Sequence, residues 1–586
     1  MSEPSAPPFD DSRRLTGPNR HFPGPGAELE ALTALSAGQI SRWREALALA
    51  FSALGWRPGR CIAEPHRSGV TLAFEAPLDG LLTATEINEW ACARACGWSA
   101  AHAPGHPPGW DDDSALATLR RMAAEEAEPD LLAALEAASA RQLPILLDDD
   151  TLTLGYGRHG RSWPRGAPPT PKVVAEETLG VVPVALVTGS NGKTTTVRLL
   201  AALQRAAGRH VGHSCTDGVL VDGVAIETGD YSGPMGARSV LRHPEVDVAV
   251  LETARGGLLR RGLAVPRADV ALVTNIAVDH FGEYGIHDLD GLARAKLSVA
   301  RALDRDGCLL LNADDPTLRR IGLQREDLLG ETDCAIGWFS LDPAFDWPQA
   351  GDACALRDGH LRLHCGGREH DLGAVATMPL SAQGRARYNI ANLAAAALAA
   401  ARLGVPVEVI RSVLARFGSD PADNPGRLER HHAGGVAILL DYAHNPDGID
   451  GLLRIAAAER GDGRLGLLLG QAGNRENRDI RALAAAAARY RPDRIVLKDL
   501  DGYMRGRAEG EVPAVLRAEL LALGLPATAL VDGGKEMAAT RAALSWARPG
   551  DLLVLPVHTL GVRHDVLALF ERLRDLGWRA GTPLPD

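Results

Sequence analysis

The sequence contains no apolar run of the roughly 18 to 20 residues that a membrane-spanning helix requires. Its first residues, MSEPSAPPFDDSRR, lack the basic-then-apolar order of a secretory signal peptide. Eight cysteines in 586 residues, with no CxxC pair, are too few for a disulfide framework. No repeat with a period of about 20 to 50 residues is present, which excludes a solenoid. We therefore expect a cytoplasmic protein that has no membrane partner.

Positive charge is not in excess either. The chain has 63 Lys and Arg against 74 Asp and Glu, a formal net charge of −11, so no overall attraction draws it to nucleic acid. Apolar residues make up 46% and charged residues 23%, which is ordinary globular composition. At roughly 150 residues per domain, this length suggests about four domains.

Composition changes along the chain predict the domain boundaries. Residues 1–26 are rich in proline and poor in apolar residues, which predicts a disordered tail. Helical patterns and one apolar strand pattern over 27–163 predict an α+β domain, followed by a proline-rich linker over 164–174. From there, short apolar runs alternate with helical patterns, which is typical of α/β domains with parallel sheets. We place these over 175–425 and 426–586.

The sharpest local signal is GSNGKTTT, residues 189–196, between a buried strand pattern and a helix. Backbone N–H groups at such a helix N-terminus converge on an anion. Lys193 would reach the β- and γ-phosphates of a nucleotide, and Thr194 or Thr195 would bind Mg²⁺. The full GxxxxGK[ST] spacing fails, because its first glycine would fall at Val187. The shorter loop still supplies the glycines, the lysine and the hydroxyls.

Two further polar groups follow strand patterns. Glu252 ends the run VAVLE, and His280 ends VTNIAVDH. Ligands bind at the carboxyl ends of the strands in open α/β sheets, so both side chains are expected beside the phosphate loop. Carboxylate oxygen suits Mg²⁺, and we predict that Glu252 and His280 contribute to a metal site.

Taken together, these motifs resemble the Mur ligase family over residues 170–586. The resemblance implies a central parallel-sheet P-loop ATPase domain, a C-terminal Rossmann-like α/β domain, and the cofactors ATP and Mg²⁺. It implies that Lys296, in LARAKLSV, is a carbamylated lysine that orders a second Mg²⁺, and that NADDP (312–316) belongs to the same array. The residues it assigns to ATP are Gly189, Ser190, Asn191, Gly192, Lys193, Thr194, Thr195, Asn389, Asn392, Arg427 and Asp441. The catalytic residues would be Lys193, Glu252, His280 and Lys296, and the metal ligands Thr194, Glu252, His280 and Lys296.

Within that family, segments such as GDYSGPMGAR and GNRENRDI are most similar to the ligase module of the cyanophycin synthetases. Those enzymes carry an ATP-grasp domain between an N-terminal domain and this module. Here residues 142–163 resemble only the start of that domain, so we expect it to be missing. The residues expected at the substrate pocket are Thr216, Asp217, Gly218, Asp230, Ser232, Gly233, Pro234, Arg255, Gly256, Gly257, His444, Asn474, Arg475 and Arg505.

The favoured function is an ADP-forming carboxylate–amine ligase that acts on small amino-acid or dipeptide substrates through an acyl phosphate. The favoured pair is the aspartate β-carboxylate and arginine. Two alternatives stay open: a ligase for another amino acid or peptide, and a non-catalytic nucleotide-binding partner of a polymer synthetase. The N-terminal domain is either a substrate-docking platform or a dimerising appendage, which would make the protein a homodimer.

Overall fold

The computed structural model describes residues 9–10, 12–97, 111–278, 281, 283–324, 333–346, 351–500 and 502–585. Within this part of the chain, sheets of four, eleven and six strands form the N-terminal, central and C-terminal domains. A three-stranded sheet follows the N-terminal domain. The predicted fold class, two α/β domains and a smaller α+β domain, is confirmed. Among the described helices, none combines the length and the apolar character needed to cross a bilayer.

The N-terminal domain is an antiparallel sheet covered by helices. Its elements are β1 (Arg13–Leu15), β2 (Gly26–Ala31), α1 (Ala37–Leu54), β3 (Cys61–His66), β4 (Gly69–Glu75), α2 (Leu81–Cys96) and α3 (Asp112–Glu126). The strand order is β1-β2-β4-β3. The apolar face of the sheet packs on α1 and α2 around the buried Trp43, whose Nε1 donates to Oδ1 of Asn88 at 3.0 Å. The indole therefore satisfies its one polar group inside the core.

The prediction of a disordered tail over 1–26 is wrong for the described part of that segment. Phe9, Leu15 and Phe22 are buried, and β1 pairs with β2. The backbone N–H of Thr16 donates to the carbonyl of Arg261 at 2.9 Å. These contacts reach into the central domain, so the composition of the segment alone could not reveal them.

A small subdomain connects the N-terminal and central domains. It comprises α4 (Pro129–Ala140), β5 (Ile145–Leu147), β6 (Thr151–Leu154), β7 (Arg161–Pro164) and α5 (Pro171–Glu176). The predicted linker, 164–174, is therefore only partly irregular. Thr170 caps α5 by accepting the N–H of Val173, and Val174 is buried against the subdomain core. Pro171 favours a helix start because its fixed φ suits the first turn.

The central domain is built on one large mixed sheet. Its strands are β8 (Val184–Thr188), β9 (Val211–Cys215), β10 (Gly218–Val221), β11 (Val224–Thr228), β12 (Val248–Glu252), β13 (Ala268–Val273), β14 (Leu303–Asn312), β15 (Ala335–Ser340), β16 (Ala353–Arg357), β17 (His360–Cys365) and β18 (Arg368–Ala374). Its helices are α6 (Lys193–Ala206), α7 (Pro234–Arg242), α8 (Arg255–Arg261), α9 (Leu289–Leu297), α10 (Pro316–Gln324), α11 (Arg387–Arg402) and α12 (Val407–Leu414). The strand order is β11-β10-β9-β12-β8-β13-β14-β15-β16-β17-β18. The strands from β9 to β16 in that order run parallel, and antiparallel hairpins extend both edges.

The C-terminal domain is a doubly wound α/β unit. Its elements are β19 (Glu429–Ala433), β20 (Val436–Asp441), α13 (Pro446–Glu459), β21 (Leu465–Leu469), α14 (Asn477–Ala488), β22 (Arg494–Asp499), α15 (Glu511–Ala522), β23 (Leu530–Lys535), α16 (Glu536–Trp546), β24 (Leu552–Pro556) and α17 (Leu560–Asp575). The strand order is β19-β20-β24-β21-β22-β23, with only β19 antiparallel among these described strands. Separate apolar cores cover the two faces of the sheet.

These two sheets determine where a ligand can bind. Strands β8, β12 and β13 are parallel neighbours. Their last residues, Thr188, Glu252 and Val273, therefore lie at the same edge of the central sheet. In the C-terminal domain, β20 ends at Asp441. Residues that follow both sets of strand ends line one shared cavity. The fold thus places a candidate site between the two domains.

Candidate active site

The phosphate loop connects β8 to the first turn of α6. The loop is held from β13, because Thr274 Oγ1 donates to the carbonyl of Asn191 at 2.6 Å and the N–H of Asn191 donates to Asn275 Oδ1 at 3.0 Å. Lys193 Nζ donates to the carbonyls of Gly189 and Ser190, both at 3.1 Å. The ammonium group thus lies over the loop at a helix N-terminus, where an anion is favoured.

Gly192 makes room for a side chain from α11. Its φ is +84°, and a Cβ there would lie 2.3 Å from Oδ1 of Asn392. Asn392 and Asn389 are buried, and Asn392 donates to Oδ1 of Asn389 at 3.3 Å. Asn389 and Asn392, two of the residues that the family resemblance assigns to ATP, are therefore joined to each other, and both line the cavity beside the loop.

Glu252 forms the anionic centre of the site. Its side chain is 2% exposed, Thr194 Oγ1 donates to Oε2 at 2.7 Å, and Thr216 Oγ1 donates to Oε1 at 3.1 Å. Among the described residues, no group of three His, Cys, Asp or Glu forms a dedicated metal cage. Mg²⁺ does not need one, because it is bound through one or two carboxylates together with substrate phosphates and water. The oxygen-only donors Thr194, Thr216 and Glu252 fit that cation.

The other two predicted metal-site residues are His280 and Lys296. His280 lies outside the described residues. Lys296 is 3% exposed on α9, and its Nζ donates to the carbonyl of Gly189 at 2.8 Å. That contact places Lys296 directly beneath the phosphate loop. Its carbamylation stays a prediction.

The C-terminal domain supplies the facing wall of the site. Both carboxylate oxygens of Asp441 accept backbone N–H groups, from Leu428 at 2.6 Å and from Ala443 at 2.7 Å. Burial raises the pKa of Asp441. The guanidinium of Arg427 stacks on the ring of Tyr442, 4.3 Å from its centroid. Asp441 therefore shapes the turn after β20, and Arg427 is held beside it as a cation.

Asn445 is a site residue that sequence reasoning missed. Its Nδ2 donates to Oδ1 of Asn191 at 2.8 Å, so the turn after β20 touches the phosphate loop directly. The same asparagine caps α13 by accepting the N–H of Gly448. An Asn-Pro pair predicts a helix cap from sequence, but its second contact depends on how the domains meet.

A buried charged network supports the turn that carries His444. Lys498 Nζ donates to Glu536 and lies 3.2 Å from Nδ1 of His558. His558 Nε2 lies 3.1 Å from the carbonyl of Ala443. Burial lowers the pKa of His558, and the charge of Lys498 lowers it further. A neutral imidazole that donates from Nε2 and accepts at Nδ1 satisfies both contacts.

The cavity between the domains has a volume of about 510 Å³. Predicted residues that line it are Ser190, Asn191, Gly192, Lys193, Thr194, Thr195, Thr216, Glu252, Asn389, Asn392, Arg427, Asp441 and His444. Gly189 and Lys296 lie behind the loop. Nearly all of the residues expected around a nucleotide thus share one space, which is of the size that ligand pockets have.

Several residues predicted for the substrate pocket contact one another or neighbouring side chains, and their role at the pocket stays a prediction. Asp230 accepts the N–H and hydroxyl of Ser232, and this turn leads through Gly233 and Pro234 into α7. Arg255, Gly256 and Gly257 form the first turn of α8, where Arg255 pairs with Glu283. Asn474 donates to Glu283 at 2.9 Å. Arg475 is buried, and Arg505 stacks on Tyr503.

Asp217, another residue predicted for the substrate pocket, pairs with two arginines. It comes directly after Thr216 and before Gly218, which begins β10. Its carboxylate lies between two arginines, with Oδ2 2.5 Å from Arg198 and Oδ1 2.5 Å from Arg563. Arg563 is in the C-terminal domain, so Asp217 joins the two domains beside the site.

We expect that Asp217→Asn weakens this junction by about 3 kcal/mol, because removing one partner of a buried pair leaves the other charges uncompensated. Burial alone raises the pKa of Asp217, but Arg427, Arg198 and Arg563 outweigh it, so the pKa lies below its ordinary value. The stabilisation is therefore complete above about pH 4 and declines as the pH falls through the lower folded-state pKa.

Urea unfolding of the wild type and Asp217→Asn at pH 7 and at pH 3 tests this. The difference between the two proteins should shrink at pH 3. The control is Asp149→Asn. Asp149 is exposed and pairs with Arg14 at the surface, so its substitution should change the free energy of unfolding by less than about 0.5 kcal/mol. Equal stability of Asp217→Asn and the wild type at pH 7 would contradict the bridge.

Two family models match the central and C-terminal domains. Residues 187–400 match the model of the Mur ligase middle domain, and residues 426–556 match that of the Mur ligase glutamate ligase domain. A cyanophycin synthetase of Crocosphaera subtropica is 38% identical over 335 residues, which are 56% of this chain and 37% of that protein. The chain thus spans little more than a third of such relatives.

A second relative is a UDP-N-acetylmuramoyl-L-alanyl-D-glutamate–2,6-diaminopimelate ligase of Syntrophomonas wolfei, which is 27% identical. The matched region covers 64% of this chain and 72% of that protein. Among solved structures, a ligand-free folylpolyglutamate synthase/dihydrofolate synthase of Yersinia pestis superposes with a TM-score of 0.49. Its sequence identity is 20%, and the match covers 66% of this chain and 90% of that one.

Proposed function

This chain belongs to the Mur ligase family, and we propose that it is an ATP-dependent ligase that joins a carboxylate to an amine. The observation that carries the proposal is the cavity in which Lys193 and the Thr194–Glu252–Thr216 cluster of the central domain face Arg427 and His444 of the C-terminal domain. A phosphate-binding edge and an opposing wall are what a two-substrate transfer requires.

The reaction that suits this site proceeds through an acyl phosphate. A carboxylate does not react with an amine at neutral pH, because oxide is a poor leaving group. A carboxylate oxygen attacks the γ-phosphorus of ATP, and ADP leaves. The amine nitrogen then attacks the acyl carbon, phosphate leaves, and the nitrogen loses a proton.

The chain's own residues bind and orient the phosphates. Lys193 holds a positive charge over the loop, and the N–H groups at the start of α6 point to the anion. Bound Mg²⁺, held by Thr194 and Glu252, would neutralise charge on the phosphates. Asn389 and Asn392 lie on the nucleotide side, and Arg427 is available to its ribose or phosphates.

The C-terminal domain brings the second substrate to the first. Its turn 441–445 touches the phosphate loop through Asn445, and Asp217 pairs with Arg563 across the domains. Holding the amine and the acyl phosphate together can contribute about 7 to 11 kcal/mol to rate acceleration. Closure of the two domains around bound substrates would also exclude water, which would hydrolyse the acyl phosphate.

We propose the aspartate β-carboxylate and arginine as the favoured substrate pair, because cyanophycin synthetases are among the relatives. The test is a screen of amino-acid and dipeptide pairs for ATP-dependent phosphate release, with mass spectrometry of the products. Amide formation from another pair would keep the ligase and replace the substrates. ATP turnover without any amide product across the screen would contradict the proposal.

We expect one ATP hydrolysed per amide formed, and a product of one added residue. The chain has one phosphate-loop motif, and residues 127–183 alone connect the N-terminal domain to the central domain. One site positions one class of carboxylate, and a displacement of about 1 Å can reduce the rate about 100-fold. The phosphate-to-amide ratio and the product mass check this. Long chains made by the purified protein from aspartate and arginine would contradict it.

A further inference from the structure

A short loop between β13 and α9 contacts all three domains. This loop, residues 283–287, is called the junction loop here. Tyr284 within it has a φ of +54°, in the left-handed region that a non-glycine residue rarely adopts. Such a conformation costs about 1 to 3 kcal/mol and persists only where its surroundings enforce it. The contacts that enforce it are therefore informative.

The N-terminal domain supplies most of those contacts. Nη1 of Arg20 donates to the carbonyl of Tyr284 at 3.2 Å, and the guanidinium of Arg13 lies 4.7 Å from the centroid of the Tyr284 ring. Ser68 Oγ lies 2.9 Å from Nε2 of His287. The central domain also contacts Tyr284: Arg260 Nε donates to its hydroxyl at 2.7 Å.

The two arginines are themselves positioned by a buried carboxylate. Glu28 is 1% exposed, and its Oε1 accepts from Arg13 at 2.6 Å and from Arg20 at 3.0 Å. Nη2 of Arg20 makes that bond while Nη1 reaches Tyr284, so one guanidinium joins the N-terminal sheet to the junction loop. The planar fork of arginine makes this double contact, and a lysine cannot.

The same N-terminal segment supports helix α8. The N–H of Thr16 donates to the carbonyl of Arg261 at 2.9 Å, and the N–H of Leu263 donates to the carbonyl of Pro18 at 2.6 Å. Between them, a Cβ on Gly17 would lie 2.3 Å from the carbonyl oxygen of Leu263. The two backbones therefore meet with no room for a side chain.

The other side of the junction loop contacts the central and C-terminal domains. Glu283 pairs with Arg255, which begins α8 three positions after Glu252, and accepts from Asn474 of the C-terminal domain at 2.9 Å. The chain of contacts runs from Glu28 through Arg20 to Tyr284, and from the adjacent Glu283 to Arg255 of the central domain and Asn474 of the C-terminal domain. Displacing Tyr284 would move Glu283.

We propose that the N-terminal domain is a positioning module that holds the junction loop so that Glu283 joins the central and C-terminal domains around the substrates. Arg20 is the positioning residue, and it acts through Tyr284 and Glu283 without touching substrate. The effect on substrate binding rests on the proposed ligase function. The docking of the loop does not.

Two variants of the full-length protein test the proposal. Arg20→Lys keeps a charge beside Glu28 and loses the reach to Tyr284. Gly17→Ala leaves every charge in place and separates the N-terminal segment from residue 263. The matched control for Arg20→Lys is Arg120→Lys, because Arg120 donates only to the carbonyl of Ala53 within the N-terminal domain in the contacts described. The matched control for Gly17→Ala is Gly166→Ala, because a Cβ at residue 166 would have no atom within 4 Å.

Hydrogen exchange measures the docking without reference to activity. In both variants the amide of Ile286, which donates to the carbonyl of Glu283 at 3.1 Å, should exchange at least about 10-fold faster, while both controls match the wild type. Unchanged protection in Arg20→Lys and Gly17→Ala would overturn the positioning role, whatever the protein is found to catalyse.

Kinetics then separate positioning from general destabilisation. With the amine found in the pair screen as substrate and ADP as the nucleotide probe, the KM for the amine should rise about 10-fold, and the Kd for ADP should stay within about 2-fold. An equal loss of ADP affinity, or an unchanged KM in variants with a released loop, would overturn the proposal. If the wild type forms no amide, the ligase function fails and the exchange measurement still decides the docking.

Discussion

Lys193→Ala should lower ATP-dependent phosphate release by about 100- to 1000-fold and leave the fold intact. The ammonium of Lys193 contacts only the carbonyls of Gly189 and Ser190 among the described atoms, so no core packing is lost. A charged donor aimed at transferring phosphate contributes about this much to many enzymes. Initial rates of phosphate release, together with circular dichroism of the variant, check both parts.

The control for this substitution is Lys172→Ala. Lys172 lies on α5 in a weak surface pair with Glu176 and should have no effect on rate. Lys193→Arg adds a second comparison, because it keeps the charge and changes its shape. A folded Lys193→Ala variant with wild-type phosphate release would remove the loop from the reaction.

Glu252→Gln should raise the Mg²⁺ concentration needed for half-maximal activity and lower kcat by about 100-fold. Glutamine keeps the shape of the side chain and one acceptor oxygen, but it removes the charge that a divalent cation requires. Thr194 and Thr216 both donate to this carboxylate, so the substitution acts at the centre of the oxygen cluster. A magnesium titration of the rate is the measurement.

Glu227→Gln is the matched control for Glu252→Gln. Glu227 also accepts from a hydroxyl, that of Ser239 at 2.5 Å, but it lies on the edge strand β11. Its magnesium titration should match the wild type. If Glu252→Gln shows the same titration as well, Glu252 is not part of the metal site.

The phosphate loop, Glu252 and the α/β class could be predicted because each depends on a short stretch of sequence. A glycine-rich turn between a buried strand and a helix is local information, and so is an acid at the end of an apolar run. The parallel order of the sheet then brings Glu252 to Thr194, because β12 and β8 are neighbours.

Asp217 and the first 26 residues could not be predicted in the same way. Asp217 pairs with Arg563, 346 positions away, and nothing near Asp217 indicates that arginine. The backbone N–H of Thr16 likewise donates to the carbonyl of Arg261, whereas the proline-rich sequence around Thr16 predicts disorder. Both are long-range contacts between domains, which local composition does not reveal.

The role of the N-terminal domain could not be predicted from the sequence either. Sequence reasoning left it as a docking platform or a dimerising appendage. Tyr284 has no local sequence signal for its positive φ, since tyrosine rarely adopts it, and its contacts with Arg13, Arg20 and Arg260 lie far away in sequence. The structure adds a third possibility that depends on the junction loop.

The central claim, activation of a carboxylate by phosphoryl transfer from ATP, is tested most directly by isotope transfer. The carboxylate substrate found in the pair screen is labelled with ¹⁸O in both oxygens and converted with ATP, Mg²⁺ and the amine. An acyl phosphate predicts that each released phosphate carries one ¹⁸O from the substrate. Amide formation with ADP release and no ¹⁸O in the phosphate would contradict the account.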